Sequence, residues 1–184
     1  MNSLPFIKMH GCGNDYVFID GMDWTTTQAQ SFDFAAVSRR VSDRHRSIGG
    51  DGLVAMLASD RNDADARMRM FNADGSEGYL CGNALRCMAM WLHQSGRCGT
   101  RCQIAMHDRV IGAQIIGSEP IQKRAIVRVD IGPPVVLAPA ASGLQKYVRH
   151  TILSDIQRHG KPLPIVEVSM GNPHAIIIVD DLST

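Results

Sequence analysis

Apolar and polar positions alternate near the N-terminus. Phe6-Ile7-Lys8-Met9-His10 has the two-residue period of a strand, Gly11-Cys12-Gly13-Asn14-Asp15 breaks it, and Tyr16-Val17-Phe18-Ile19-Asp20 reads as an antiparallel return. A hairpin with polar groups at its tip is expected. From Phe34 to Arg44 the apolar residues Ala35, Ala36, Val37 and Val41 recur at helical spacing, which predicts a short amphipathic helix running into the turn Gly49-Gly50-Asp51-Gly52. Leu53 to Ala58 and Ala66 to Asn72 read as a second hairpin, the latter strand alternating Met68 and Met70 against Arg67 and Arg69. After the turn at Asp74-Gly75, the stretch from Asn83 to His93 is rich in helix formers and places Leu85, Met88, Ala89 and Leu92 on one face. That helix starts immediately after Cys81-Gly82. Strand-like runs return at Gln103 to Met106, Val110 to Ile116 and Ala125 to Ile131, and Gly132-Pro133-Pro134 closes them, so a domain boundary is expected between residues 1–132 and 133–184. Beyond it, Ala138 to Gly143 has loop composition, and Ile165 to Ser169 and Ala175 to Val179 are strand-like around Met170-Gly171-Asn172-Pro173-His174.

Composition narrows the picture. With 184 residues and 45% apolar content, the chain is long enough for one good core or two small ones. Nineteen basic against eighteen acidic residues leave a net charge of +1. Nothing therefore draws it toward nucleic acid or an anionic membrane, and a small-molecule partner is expected. The N-terminus lacks a basic segment followed by an apolar one, no apolar run reaches membrane-spanning length, and a cytoplasmic protein is expected. The five cysteines are odd in number, with Cys12 far from the rest, so no disulfide framework is expected. Cys81, Cys87, Cys98 and Cys102 contain no C-x2-C pair, and no metal site is expected of them.

Cys81 is the residue with chemistry to offer. A thiol in the first turn of a helix meets unsatisfied backbone N–H groups and the positive end of the helix dipole, which favour the thiolate. The same N–H groups bind carboxylates, Gly82 permits close backbone approach, and Asn83 adds an amide. On these residues alone, a packed and inert thiol is the commoner outcome. Cys87, inside the helix beside Leu85, Met88 and Ala89, reads as a core residue. Asn14, Asn72 and Asn172 sit where asparagine serves turns anyway, and His10, His45 and His174 read singly as satisfied polar residues.

Taken together, the motifs change that balance. Asn72-Ala73-Asp74-Gly75-Ser76-Glu77 leads into Cys81-Gly82-Asn83 and Arg86-Cys87. Lys8-Met9-His10-Gly11 precedes Gly13-Asn14-Asp15, Asp43-Arg44-His45 precedes Ile48-Gly49 and Asp51-Gly52, and Gly171-Asn172-Pro173-His174 follows. This ordered set resembles the diaminopimelate epimerase family over essentially the whole chain. The resemblance implies an α/β (α+β) fold, in which a curved sheet wraps a central helix in each of two pseudo-symmetric domains, the second being incomplete here. It implies a cofactor-independent isomerase that interconverts LL- and meso-diaminopimelate, in lysine and cell-wall precursor biosynthesis, by proton transfer between two thiols without pyridoxal phosphate or metal. By position, Cys81 matches the first catalytic cysteine and His174 the histidine that assists it. Gly82 and Asn83 match the carboxylate cradle, and Asn14, Asn72 and Asn172 the side-chain contacts to substrate. The partner is then a small amino acid, and a homodimer is compatible with the pattern.

Three positions depart from the pattern. Ala84 replaces a usual glycine and is expected to tighten the cradle, Gly52 stands where some members present glutamine, and Cys12 replaces a frequent leucine and is expected to be packed. The motif with the opposite cysteine is absent from residues 1–184, so the chain by itself is expected to be inactive. Proline and hydroxyproline racemases share the two-thiol logic, and phenazine-type isomerases share the fold. The asparagines instead suit a longer substrate with a second amino-acid group. A catalytically silent domain is the remaining alternative.

Overall fold

The computed structural model describes residues 4–133, 135–136, 157–158, 161–162, 165–170 and 173–177. Strands β1 (Ile7–Gly11) and β2 (Asn14–Gly21) form the hairpin that the alternation predicts. Its tip is a two-residue turn in which Cys12 has φ 51° and Gly13 φ 95°. Two positive φ values suit the twist of the flanking strands, and glycine adopts one without steric cost.

β3 (Gly52–Leu57) runs parallel to β2, which obliges the chain to cross over between them. Helices α1 (Thr26–Ser31) and α2 (Phe34–Val41) occupy that crossover. β4 (Ala66–Asn72) returns antiparallel to β3, and the two-residue β5 (Glu77–Gly78) pairs with its end. A second crossover carries α3 (Gly82–Gln94) to β6 (Arg101–Met106), which lies parallel to β4. β7 (Arg109–Glu119) and β8 (Arg124–Asp130) complete the sheet antiparallel, in the order β1-β2-β3-β4-β6-β7-β8. Helix α3 touches β1 at one edge and β8 at the other, as well as β2, β4, β6 and β7 between, so the sheet curls around it. The fold is a mixed α/β curled sheet around a central helix.

Because β2, β3 and β4 have helices on both faces, they carry two cores. Leu53, Ala55, Leu57 and Phe71 face α2 with Ile19 and Phe34, while Val54, Met56, Met68 and Met70 face α3 with Tyr16 and Phe18. This explains why all six residues of β3 are buried although antiparallel strands usually alternate. On α3, Ala84, Leu85, Met88, Ala89 and Leu92 have no exposed surface. Each of the larger ones contributes about 1.5–3 kcal/mol by leaving water.

Two findings differ from the sequence reading. α1, which buries no residue, was not expected; its signal is the capping box between Thr25 and Gln28, not an apolar stripe. Cys98 and Cys102, expected to remain unpaired, are joined by a disulfide between β6 and the connection that follows α3.

The chain divides into two compact units, Met1–Ile131 and Gly132–Thr184. In the second, β12 (Ile165–Ser169) pairs antiparallel with β13 (Pro173–Ile177) and with β9 (Val135–Val136), while β10 (Gln157–Arg158) pairs with β11 (Lys161–Pro162). β13 begins two residues before the expected start at Ala175, so His174 lies within the strand. The expected loop from Ala138 to Gly143 lies outside the described residues.

Candidate active site

Cys81 is the N-cap of α3, with extended backbone at φ −141° and ψ 104°. In this position its own carbonyl accepts the first helical bond, from the Leu85 N–H, while its Sγ accepts the N–H of Ala84 at 3.4 Å. A second group reaches the same sulfur: Tyr16 Oη lies 3.2 Å from Sγ. The backbone N–H groups of Gly82 and Asn83 remain as first-turn donors toward an anion, as helix geometry requires. An added Cβ on Gly82 would meet nothing nearer than Arg86 Nη1 at 3.5 Å, so the backbone there is open to approach.

Sheet register brings the other residues to this end of α3. Met9, Tyr16, Gly52 and Asn72 form one transverse row across β1 to β4. Gly11, at the tip of β1, presses on the helix so closely that a Cβ would stand 2.8 Å from the Asn83 carbonyl oxygen. That contact sets Asn14 beside Asn83. From there a directed chain of hydrogen bonds runs along the surface: Arg86 Nη1 donates to Asn83 Oδ1 at 2.8 Å, Asn83 Nδ2 to Asn14 Oδ1 at 2.6 Å, and Asn14 Nδ2 to Asp51 Oδ2 at 3.2 Å. The charged ends fix the direction of both amides, since a guanidinium only donates and a carboxylate only accepts.

Asp51 also accepts the Asp15 backbone N–H at 3.1 Å and Arg44 Nη2 at 2.9 Å. Arg44 bridges to Asp15, which Lys8 contacts at 2.9 Å. Hydrogen bonds from Arg44 and Lys8 hold the Asp15 carboxyl well below the usual carboxylate range. Asn72, half-buried at the end of β4, donates to Ser76 Oγ at 2.9 Å across a turn closed by Gly75 at φ 84°.

The two remaining free cysteines of the first unit differ from Cys81. Burial pushes the Cys87 thiol up to about 12, keeping it neutral. Cys12 is exposed at the hairpin tip, contrary to the expected packing, because the left-handed turn points it outward from both cores. Burial, followed by the hydrogen bond to Cys81, raises Tyr16 above the ordinary phenol range.

A family model described as diaminopimelate epimerase matches residues 6–137. The chain belongs to the diaminopimelate epimerase family. Among members, a diaminopimelate epimerase of Acetivibrio thermocellus is 35% identical over 180 residues, covering 97% of this chain and 61% of the relative. One of Agathobacter rectalis is 36% identical over 187 residues, covering 98% and 62%. The chain thus spans about three fifths of the length of these curated relatives. The fold also matches a crystal structure of a Bacillus anthracis phenazine biosynthesis protein of the PhzF family. That match has TM-score 0.64 and 20% identity, and covers all of this chain and 58% of the other.

Within that family context, the structure brings Cys81, Gly82, Asn83 and Asn14 into one cluster on the first unit, with Asn72 in the same strand row as Tyr16. His174 is exposed on β13 of the second unit, opposite Val168, and Asn172 lies outside the described residues. The Ala84 methyl does not tighten the cradle, because Ala84 is fully buried in the core beneath α3. Gly52 is required sterically: an ideal Cβ would stand 2.1 Å from the Phe71 carbonyl oxygen across the strand pair. Tyr16 and the Arg44-Asp51-Asn14 network are members of the site that the motifs do not single out. A tyrosine on the same strand face as Phe18, aimed at the helix start, was the available signal, since a buried phenol needs a hydrogen-bond partner.

Proposed function

We propose that the protein is a pyridoxal-phosphate-independent isomerase that interconverts LL- and meso-diaminopimelate in the cytoplasm, within lysine and cell-wall precursor biosynthesis. The observation that carries this reading is the seating of Cys81 Sγ at the start of α3, where it accepts the Ala84 N–H and lies 3.2 Å from Tyr16 Oη. Open first-turn N–H groups beside a sulfur are an arrangement that can capture a carboxylate next to a thiol.

In this reading the Cys81 thiolate and an opposed thiol share the work. One takes the α-proton, the C–H electron pair stays on carbon and delocalises into the substrate carboxylate, and the other thiol protonates the opposite face. The backbone N–H groups of Gly82 and Asn83 hold that carboxylate, which stabilises the charge as it develops. Asn14, Asn72 and Asn172 contact the remainder of the substrate, and His174 assists Cys81. Residues 1–132 and 133–184 belong to the two epimerase domains, and the protein acts on a small amino acid without nucleic acid or membrane as partner. Among the described residues no helix is long and apolar enough to cross a membrane.

The test is substrate turnover in deuterated water by a protein that carries the opposed thiol as well as Cys81. LL-diaminopimelate should yield the meso isomer with deuterium at the inverted carbon, while free proline stays unlabelled. Turnover of proline in preference to diaminopimelate would overturn the assignment.

A further inference from the structure

The half-buried Cys81 has one neighbour that the epimerase pattern does not account for. We infer that Tyr16 is a positioning residue, which donates its phenolic O–H to Cys81 Sγ and thereby fixes the sulfur and stabilises its thiolate; the inference rests on Cys81 being the reactive thiol proposed above.

The geometry leaves Tyr16 little alternative. Its side chain is only 5% exposed, it lies on β2 facing α3, and its ring stands edge-on to Phe18 at a centroid separation of 6.4 Å. A buried phenol costs free energy unless its hydroxyl is bonded, and Cys81 Sγ at 3.2 Å is the partner present. Either atom could donate in principle. The sulfur, however, already accepts the Ala84 N–H, which casts it as the acceptor. Tyr16 keeps its proton while a thiol ionises, because burial holds it neutral and the nearby Asp51 carboxylate opposes its ionisation.

The other titratable or charged groups around the pair supply no competing proton. On α3, Cys87 is held neutral by burial, and Arg86 donates to Asn83. Cys12, at the hairpin tip, is exposed. When Cys81 becomes a thiolate, the Tyr16 bond becomes charge-assisted and strengthens, whereas in the thiol form it is weak. The hydroxyl therefore stabilises the reactive form selectively.

The experiment is a pH profile of iodoacetamide alkylation at Cys81, read by peptide mapping in the whole protein, with Cys87 labelling as an internal monitor of the fold. In Tyr16→Phe the midpoint at Cys81 should move to higher pH by about one unit, with alkylation below that midpoint slowed about tenfold. Replacing Tyr16 by 3-fluorotyrosine, a stronger donor of nearly the same size, should move the midpoint the other way. An unchanged profile in Tyr16→Phe, with Cys87 still protected, would overturn the assignment. If Tyr16→Phe loosens the core and exposes Cys87, the fluorotyrosine protein decides: a midpoint moved to lower pH supports the role and an unmoved one refutes it. Should Cys81→Ala retain epimerase activity while these shifts occur, the functional reading fails and the Tyr16–Cys81 link stands.

Discussion

The first turn of α3 and its middle belong to one helix and carry one free cysteine each, yet they answer to different physics. At Cys81 the local problem is hydrogen bonding. The sulfur accepts one N–H of the first turn and is met by a tyrosine, while a chain of amides anchored by charges runs beside it. At Cys87 the problem is volume: the thiol sits among Leu85, Met88 and Ala89 and has lost its acidity to burial. The first region organises charge and the second excludes water. Substitutions should therefore separate into those that remove activity and those that remove stability.

The largest separation is expected at Cys81 itself. Cys81→Ala should lower the rate of α-proton exchange by about 10^3-fold, the range for loss of a positioned acid or base. Its stability should change by only about 1 kcal/mol, the worth of a helix cap. Deuterium exchange at Cα and urea denaturation measure the two quantities. A variant that exchanges normally would erase the distinction between the two ends of the helix.

Met88→Ala inverts the pattern. Met88 is fully buried between α3 and the curled sheet, and its truncation should cost about 2–5 kcal/mol through lost burial and a residual cavity. Cys81 alkylation should stay close to wild type wherever the variant is folded. A loss well under about 1 kcal/mol would mean that the sheet is not organised around this helix.

A subtler contrast lies in alkaline stability. Cys87 ionises at about 12 in the folded protein, above its ordinary value of 9.0, so the native state binds a proton that the unfolded chain releases. Its contribution is fully present below the unfolded value and disappears as pH rises through the folded one. The protein should accordingly lose stability between about pH 9 and about pH 12. Cys87→Ala should flatten that limb, leaving the part due to Tyr16, which is raised in the same direction. Denaturant midpoints across that range would reveal an unaltered limb if the assignment to Cys87 is mistaken.

The two regions also differ in how far they could be read from sequence. The core face of α3 was legible because Leu85, Met88, Ala89 and Leu92 follow helical periodicity, and every strand of the first unit except β5 shows as an apolar run. β5 is two residues long and leaves no periodic trace. The site was legible only as motifs. Its geometry depends on register, which places Tyr16 beside Gly52 and Asn72, and on the approach of Gly11 to Asn83. Neither is encoded locally. Ala84 illustrates the difficulty: its place in the sequence suggested the cradle, but the turn of the helix points its methyl into the core. Likewise Cys98 and Cys102 meet because the short connection from α3 into β6 folds back within four residues, which their spacing alone does not announce.

The smallest effect predicted concerns the support of Asn14. Asp51 accepts from Asn14 Nδ2, from the Asp15 backbone and from Arg44, so its carboxylate dictates which end of the Asn14 amide faces the helix start. Asp51→Asn removes the charge and introduces donors where three donors already converge, freeing the Asn14 amide to turn over. Because this group lies one contact away from the proposed substrate site, kcat/KM should fall by about tenfold, carried mainly by KM. The Cys81 alkylation profile should barely move, in contrast to the Tyr16 variant. A double-mutant cycle makes the argument specific: if Asp51 acts through Asn14, then Asp51→Asn added to Asn14→Ala should cost at most about threefold more. Additive losses would show that Asp51 serves the site by another route, for instance by holding the Arg44–Asp15 bridge beneath the hairpin tip.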